Sequence, residues 1–312
     1  MAGVPLVTGA TGFAGGHLLA RLLQAGGRVA AWGRDHAGLP ASNGGTVWRA
    51  VDLLDRIAVR EALDATRPSV IYHCAGFADV HDAWRAPAGA LRVNALGTHH
   101  LLEAVRESGL PCRVLVTGSA MVYKPSTEPL TEDAAIGAAG PYAVSKLAQE
   151  MTAAASGLPV VLVRPFNHAG PGQSTAYATS AFAQQVAEIE AGRRDPVVHV
   201  GNLDARRDIT DVRDTVRAYE LLADRGHTNQ PYNVCSGRAR TMRELLEILL
   251  SQSRVHVRIE VDRTRLRPSD NPVILGSHDR LTRDTGWTPE IPIERTLADL
   301  LDHWRVRVAQ GP

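Results

Sequence analysis

The sequence predicts an α/β protein, a doubly wound parallel sheet followed by a smaller α/β region. Three features of the 312 residues indicate this fold. A glycine-rich turn joins the first apolar run to the first helix-like segment, and strand-like and helix-like segments then alternate. After Gly172 this alternation loosens and the chain becomes rich in arginine. We therefore expect a sheet domain at residues 1–165 with a return at about 204–235, and a second domain at residues 166–312.

The glycine-rich turn has the context of a dinucleotide site. Val4–Thr8 is a short apolar run typical of a buried strand, and leucines at helical spacing follow in His17–Ala25. A strand, a glycine turn and a helix in this order suit a pyrophosphate, because glycine allows close approach and the helix N-terminus offers N–H groups. The spacing is GxxGxxG, from Gly9 to Gly15. We expect the cofactor to contact Gly9, Thr11, Gly12, Phe13 and Ala14.

The end of the second strand bears on the choice between two dinucleotides. We expect this strand at Arg28–Trp32, and the chain continues with Gly33, Arg34 and Asp35. Proteins that bind NAD usually place a carboxylate here for the ribose 2′-hydroxyl, whereas those that bind NADP use an arginine for the 2′-phosphate. The strand tip carries no acid and Arg34 follows it, which favours NADP(H). Asp35 leaves NAD(H) open, because a shifted turn would bring its carboxylate to the ribose.

Further cofactor contacts are expected after the next strands, Thr46–Ala50, Pro68–Cys74 and Arg113–Thr117. The carboxylate of Asp52 suits either the adenine amino group or the cap of the following helix. Asn94 lies in a long predicted helix, Ala90–Glu107, where its amide would either face the sheet or lie on the surface. The predicted contacts in this part of the chain are Asp52, Leu53, Ala75, Gly76, Asn94, Thr117 and, after a sixth strand at Val160–Val163, Pro165.

Three side chains are candidates for catalysis: Ser119, Tyr142 and Lys146. A tyrosine and a lysine four residues apart share one face of a helix, and an ammonium nearby lowers the pKa of a phenol. Tyr142 would then exchange a proton with a carbonyl or an alcohol, and Ser119 would hold the same oxygen. Both Tyr142 and Lys146 are also expected to contact the cofactor. On its own, this spacing also occurs on ordinary amphipathic helices.

Composition excludes several kinds of partner. The formal net charge is +1 and no basic block is present, which gives no reason to expect nucleic acid or an anionic membrane. No apolar run approaches the ~20 residues of a membrane span, and the N-terminus does not resemble a signal peptide. Three widely spaced cysteines predict reduced thiols in a cytoplasmic protein. The sequence contains neither CxxC nor HExxH, and we expect no metal.

Taken together, the glycine turn, Ser119 and the Tyr142–Lys146 pair resemble the extended short-chain dehydrogenase/reductase family. The resemblance covers essentially the whole chain. It implies a Rossmann domain that binds NAD(P) and a second domain that binds a nucleotide-diphosphate sugar. Four further stretches are similar to the enzymes that modify GDP-mannose, which favours a GDP-sugar: Arg164–Gln173, Gly201–Asp208, Thr210–Asp214 and Arg265–Asp270.

The residues after Ser119 depart from part of this family. The 4,6-dehydratases carry an acidic residue there for proton transfer at C5 and C6 of the sugar, whereas this chain has Ala120 and Met121. Reduction or epimerisation at C4 needs only the three candidate catalytic side chains. By resemblance, the substrate contacts are Ser119, Ala120, Met121, Asn167, Arg207 and Arg267, although Asn167 also suits a turn and both arginines also suit an exposed surface.

We therefore expect NADPH-dependent reduction of the C4 ketone of GDP-4-keto-6-deoxy-D-mannose to GDP-D-rhamnose. One alternative is a nucleotide-sugar 4-epimerase with tightly bound NAD, which uses the same three side chains. Another is a regulator that binds NADP without catalysis. The resemblance also implies a homodimer through the helices predicted at Ala90–Glu107 and Pro141–Ser156.

Overall fold

A seven-stranded parallel sheet lies at the centre of the computed structural model, which describes residues 4–35, 39–40, 42, 44–262, 264 and 271–311. Its strand order is β10-β6-β5-β4-β1-β2-β3, where the strands of the described residues are, in chain order, β1 (Leu6–Thr8), β2 (Val29–Gly33), β3 (Thr46–Ala50), β4 (Val70–His73), β5 (Arg113–Thr117), β6 (Val160–Pro165), β7 (Asn167–Ala169), β8 (Val197–Val200), β9 (Arg206–Asp211), β10 (Pro231–Val234), β11 (Ala239–Thr241), β12 (Arg258–Val261) and β13 (Val273–Ile274).

Helices cover both faces of this sheet and build most of the second region. In chain order the α-helices of the described residues are α1 (Phe13–Gln24), α2 (Arg56–Thr66), α3 (Val80–Arg85), α4 (Pro87–Leu91), α5 (Gly97–Ser108), α6 (Gly140–Ala154), α7 (Ala178–Glu190), α8 (Val212–Arg225), α9 (Met242–Leu250), α10 (Asp279–Thr285) and α11 (Ile293–Ala309).

Alternating apolar residues on the strands produce two separate cores. On one face the strands pack against α1 and α8, with Leu18 and Tyr219 fully buried or nearly so. On the other face they pack against α2 and α5, where Leu63 and Leu101 are fully buried. The strands β1, β2 and β5 are buried on both faces and read as nearly continuous apolar runs, as expected of a parallel sheet covered on both sides. The predicted doubly wound parallel sheet is therefore confirmed.

The order in which successive strands are added to the sheet reverses between β1 and β4. The strands β1, β2 and β3 run outward to one edge, and β4, β5 and β6 run outward to the other. At such a switch point the loops after the two central strands leave toward opposite faces, which opens a crevice at the carboxyl edge. This crevice receives the glycine turn after β1 and the loop after β4.

The second region has its own small sheets and core. In one sheet β9 pairs with β7, β11 and β13, and in another β8 pairs with β12. The apolar faces of α7, α9 and α11 pack together over these strands. Within the return expected at about 204–235, α8 and β10 pack with the central sheet, whereas β9 pairs in the second region. The domain boundary at residue 165 stays a prediction.

Some details differ from the sequence-based expectations. The second strand is displaced by one residue, and the helix expected from Ala90 begins at Pro87 and passes through a π-helical turn at Arg92–Leu96. Asp55, and not Asp52, caps α2 by accepting hydrogen bonds from two backbone N–H groups. The helices α3 and α10 have no clear signal in the sequence, since six and seven residues are too few to show an apolar period. No helix of the described residues combines the length and the apolar character that crossing a bilayer requires.

Candidate active site

The glycine turn after β1 forms a cradle that only glycine fits. Gly9 has φ +67°, and a Cβ built on it would lie 2.7 Å from Cα and N of Ala75 in the loop after β4. A Cβ on Gly15 would clash with the carbonyl of Gly9 in the same way. Gly12 is the N-cap of α1, and within the described residues no side chain caps this helix. The backbone N–H groups therefore face the crevice, which suits a pyrophosphate.

The three predicted catalytic side chains meet at the carboxyl end of β5. Ser119 follows β5 and begins a short 3₁₀ turn, in which its Oγ accepts a hydrogen bond from Met121 N at 3.1 Å. The helix α6 begins at Gly140, one residue before its predicted start at Pro141. Tyr142 lies in its first turn, and Lys146 lies one turn further on. The Ser119 hydroxyl lies beside the Tyr142 phenol and lowers its pKa. Two hydroxyl groups thus converge on one point.

The expected net lowering of the Tyr142 pKa is wrong for this structure, because burial outweighs it. Burial raises the pKa of Tyr142 to about 12, and the Ser119 hydroxyl offsets only part of that rise. A buried phenolate is costly because it loses its hydration. At neutral pH Tyr142 therefore holds its proton, which is the state that a proton donor requires.

Lys146 is held by two protein oxygen atoms. Its Nζ donates to the carbonyl of Thr117 and to the side-chain oxygen of Gln149, both at 2.9 Å. Burial lowers the pKa of Lys146 to about 8, and the neighbouring Cys74 opposes this effect. The side chain is nevertheless charged at neutral pH. The ammonium therefore contributes a positive charge beside the cradle.

Asn94 holds the loop after β4 against α6. Its side chain is fully buried, so the alternative of a surface amide is wrong. The amide oxygen accepts from Phe77 N at 2.7 Å, and the amide nitrogen donates to Ser145 Oγ at 2.8 Å. A Cβ on Gly76 would lie 2.7 Å from Asn94 Oδ1 and 3.4 Å from Lys146 Nζ. Asn94 thus holds Gly76, which has no side chain, at the crevice.

The remaining predicted cofactor residues lie at or just beyond the carboxyl ends of β2, β3, β5 and β6. The side chain of Arg34 is 84% exposed just beyond β2, with its Nε 3.5 Å from the carboxylate of Asp35. Asp52 is exposed and accepts from Leu54 N at 2.9 Å. Leu53 is buried, as is Thr117, and Pro165 is half-buried at the end of β6.

The predicted substrate residues divide between the two sides of the crevice. Ala120 is buried and Met121 is half-buried, and both pack in an apolar cluster with Tyr123 and other residues. Asn167 is exposed at the start of β7. Arg207 is half-buried on β9, where its Nη1 donates to the carbonyl of Arg206 at 2.8 Å, and burial lowers its pKa. Arg267 lies outside the described residues.

Buried carboxylates of the described residues are all bonded to other protein groups. Glu150 forms an ion pair with Arg164 on β6. Asp208 accepts from the backbone and the hydroxyl of Ser236 at 2.7 and 2.6 Å. The others are likewise held, in the pairs Glu132–Asn233, Asp211–Arg213 and Asp214–Arg217. In the contacts above, none of these five carboxylates is bonded to Ser119, Tyr142 or Lys146. Their hydrogen bonds and ion pairs stabilise the fold.

Sequence reasoning missed the polar groups beneath the site. Gln149, Ser145, Thr98 and His73 are all fully buried and hydrogen bonded around Lys146 and Asn94. Two of them carry a signal in the sequence, because Gln149 follows Lys146 by three residues and Thr98 follows Asn94 by four. Such spacings place side chains on the same face of a helix.

This fold and site define a dinucleotide-dependent oxidoreductase of the short-chain type, with a Ser–Tyr–Lys cluster beside a glycine cradle. The profile of the family described as GDP-mannose 4,6 dehydratase matches residues 6–300. The chain belongs to this family, and the resemblance to extended short-chain dehydrogenases and reductases is confirmed.

Individual relatives include reductases and epimerases. GDP-6-deoxy-D-mannose reductase from Pseudomonas aeruginosa is 36% identical over 311 residues, covering 97% of this chain and 98% of the relative. The structure of RMD from P. aeruginosa complexed with NADPH superposes with a TM-score of 0.85 at 34% identity, over 97% of this chain and 99% of that one. A UDP-glucose 4-epimerase from Azospirillum brasilense is 30% identical, over 91% of this chain and 87% of the relative.

Replacing Tyr142 by Phe removes the proton donor and keeps the ring. We expect turnover to fall by at least ~10²-fold, the scale of lost general acid catalysis, while NADP(H) binding is retained. Steady-state kinetics and cofactor titration by fluorescence provide the measurement. Tyr232→Phe is the control, because that phenol bonds Asp284 away from the crevice. Turnover of Tyr142→Phe within a few-fold of the parent would show that another group donates the proton.

Proposed function

We propose that this protein is a nucleotide-sugar 4-reductase. It transfers a hydride from NADPH to the C4 ketone of GDP-4-keto-6-deoxy-D-mannose, and the product is GDP-D-rhamnose. One observation carries the proposal: the Ser119–Tyr142–Lys146 cluster is assembled, while Ala120 and Met121 occupy the positions where dehydratases have a carboxylate. The identity with a GDP-6-deoxy-D-mannose reductase adds support.

The side chains of the site are suited to protonating a ketone oxygen. When bound along the glycine cradle, NADPH supplies the hydride. The hydroxyl groups of Ser119 and Tyr142 hold the C4 oxygen between them and polarise the carbonyl. Tyr142 gives its proton to that oxygen as negative charge develops on it. Lys146, one helical turn away, provides a positive charge that favours the phenolate left behind.

Dehydration lacks its catalytic groups at this site. Removing water across C5 and C6 of the sugar needs a base at C5 and an acid at C6. The side chains of Ala120 and Met121 have no ionisable proton, and they contribute to an apolar cluster. The buried carboxylates of the described residues are bonded to structural partners. Among the described residues, the groups that converge at this site therefore suit proton transfer at the C4 oxygen.

A 4-epimerase is the second candidate, because it uses the same three side chains. The relative from A. brasilense favours it, at 30% identity. Higher identity with the P. aeruginosa reductase, together with the likeness to a structure complexed with NADPH, favours the reductase. The exposed Arg34 beside the ribose position also suits a 2′-phosphate, although NAD(H) is possible through Asp35. A regulator without catalysis would not need the converging hydroxyl groups of Ser119 and Tyr142.

The proposal extends to the assembly and the location of the protein. We infer a homodimer through the outer faces of α5 and α6, where Val144 and Met151 are 44% and 65% exposed. Large apolar side chains exposed together on one helix are typical of an interface. The three cysteines are free thiols, which suits the cytoplasm.

Arg207, which is half-buried on β9, is proposed to bind the substrate diphosphate. The same role is proposed for Arg267. A charged hydrogen bond contributes ~1.5–3 kcal/mol, so Arg207→Ala should weaken GDP binding by about tenfold or more. Calorimetric titration with GDP measures this. Arg206→Ala is the matched control, because adjacent strand residues point to opposite faces. Equal GDP affinity in Arg207→Ala and Arg206→Ala would remove Arg207 from the site.

The reaction itself is tested with two substrates. Given GDP-4-keto-6-deoxy-D-mannose and NADPH, the protein should oxidise one NADPH for each sugar reduced. Given GDP-mannose and oxidised cofactor, it should release no 4-keto-6-deoxy product. Absorbance at the nicotinamide band and chromatography of the nucleotide sugars provide the measurements. Dehydration of GDP-mannose would overturn the interpretation of Ala120 and Met121, and interconversion of two nucleotide hexoses without net NADPH use would favour the epimerase.

A further inference from the structure

A continuous chain of buried hydrogen bonds connects Lys146 with the strand before the glycine turn. Lys146 Nζ donates to Gln149 Oε1 at 2.9 Å, and Gln149 Nε2 donates to Thr98 Oγ1 at 3.0 Å. His73 Nε2 lies 2.8 Å from the same hydroxyl, and His73 Nδ1 lies 2.8 Å from Thr8 Oγ1. These five side chains are at most 5% exposed. Water therefore competes little for these hydrogen bonds.

The donors and acceptors in this chain allow a single assignment of protons. Thr98 Oγ1 donates to the carbonyl of Asn94 at 2.6 Å, so the same oxygen accepts from both Gln149 and His73. His73 must then carry its proton on Nε2, and Thr8 donates to the other ring nitrogen. Burial lowers the pKa of His73 to about 3, which keeps the ring neutral as this assignment requires.

The amide of Gln149 is likewise fixed in one orientation. Its oxygen faces the ammonium of Lys146, and its nitrogen faces a hydroxyl that has already given its proton away. A flipped amide would set N–H groups against an ammonium and lose both bonds. Lys146 uses a second N–H on the carbonyl of Thr117. Among the described contacts, this leaves one N–H for a bound molecule.

We propose that Gln149 is a positioning residue, whose amide oxygen fixes the place and the charge of the Lys146 ammonium. The inference rests on the proposed function, since it concerns the lysine of that site. Gln149 is itself held by Thr98, which in turn is held by His73. This series of hydrogen bonds ends at Thr8, directly before Gly9. The lysine and the glycine cradle are thereby tied to one rigid network.

Other titratable groups around Lys146 are uncharged or paired. From β4, His73 is neutral, and burial raises the pKa of Cys74 to about 12, so the thiol keeps its proton. On α6 itself, Tyr142 is protonated, and Glu150 is bonded to Arg164. Burial lowers the pKa of Lys146, and hydrogen bonds to the two oxygen acceptors favour the ammonium against it. Of these two acceptors, the one from Gln149 is a side chain and can be replaced.

The sequence offers a direct way to observe this lysine. It contains two lysines, Lys146 and Lys124, of which Lys124 is exposed. Protein labelled with ¹³Cε-lysine will give two side-chain signals, and Lys124→Arg assigns them. The titration of the Lys146 signal with pH can then be compared among the parent, Gln149→Leu and Gln149→Glu. The Glu variant matches glutamine in size, so the test does not depend on the folding of the Leu variant.

The two variants should move the titration of Lys146 in opposite directions. Gln149→Leu removes an acceptor from the ammonium, and its midpoint should fall. Gln149→Glu places a carboxylate there, and the midpoint should rise by about one pH unit or more. The alkaline limb of kcat/KM for ketone reduction should move in the same direction in each variant. A structural role alone would change thermal stability and leave both midpoints where they are.

Controls separate this inference from the proposed function. Gln185→Leu removes another buried glutamine amide, which bonds His199 in the second region, and it should leave the Lys146 midpoint unchanged. An unchanged midpoint in both Gln149 variants would overturn the inference. If the midpoint shifts in the Gln149 variants while the parent protein reduces no 4-keto sugar, the positioning of Lys146 is supported and the reductase is overturned.

Discussion

The active site depends on one buried contact, the ammonium of Lys146 held against the carbonyl of Thr117. Burying a cation is costly unless it is hydrogen bonded, and this bond meets the requirement with the last residue of β5. It joins the middle of α6 to the end of β5. Since Tyr142 lies on α6 and Ser119 follows β5, the same contact brings their two hydroxyl groups together. The catalytic geometry is therefore a consequence of how a buried charge is satisfied.

The surroundings of these groups decide which chemistry remains possible. Burial keeps Tyr142 protonated, so it is ready to give a proton to an oxygen that gains negative charge. Ala120 and Met121 offer nothing that could move a proton at a neighbouring carbon, and they pack against apolar residues. A dehydratase and a reductase can thus share a fold and a catalytic trio. We propose that the difference between them lies in the two side chains after Ser119.

Much of the fold and part of the site followed from the sequence, because glycine spacing and apolar runs are local signals. The cradle around Gly9 and the helix that carries Tyr142 and Lys146 are examples. The raised pKa of Tyr142 was not predictable, since it results from burial by residues distant in the sequence. The same is true of His73, whose partners Thr8 and Thr98 meet it only in the folded sheet. The predicted contact at Arg267 lies outside the described residues.

The path of the hydride is the most direct test of the central claim, that the site reduces a C4 ketone with NADPH. Cofactor carrying deuterium at C4 of the nicotinamide, on the transferred face, can be mixed with GDP-4-keto-6-deoxy-D-mannose, and the product sugar examined by NMR. The account predicts one deuterium at C4 of the sugar for each NADPH oxidised. A C4-epimerised nucleotide sugar without deuterium from the added cofactor would contradict it.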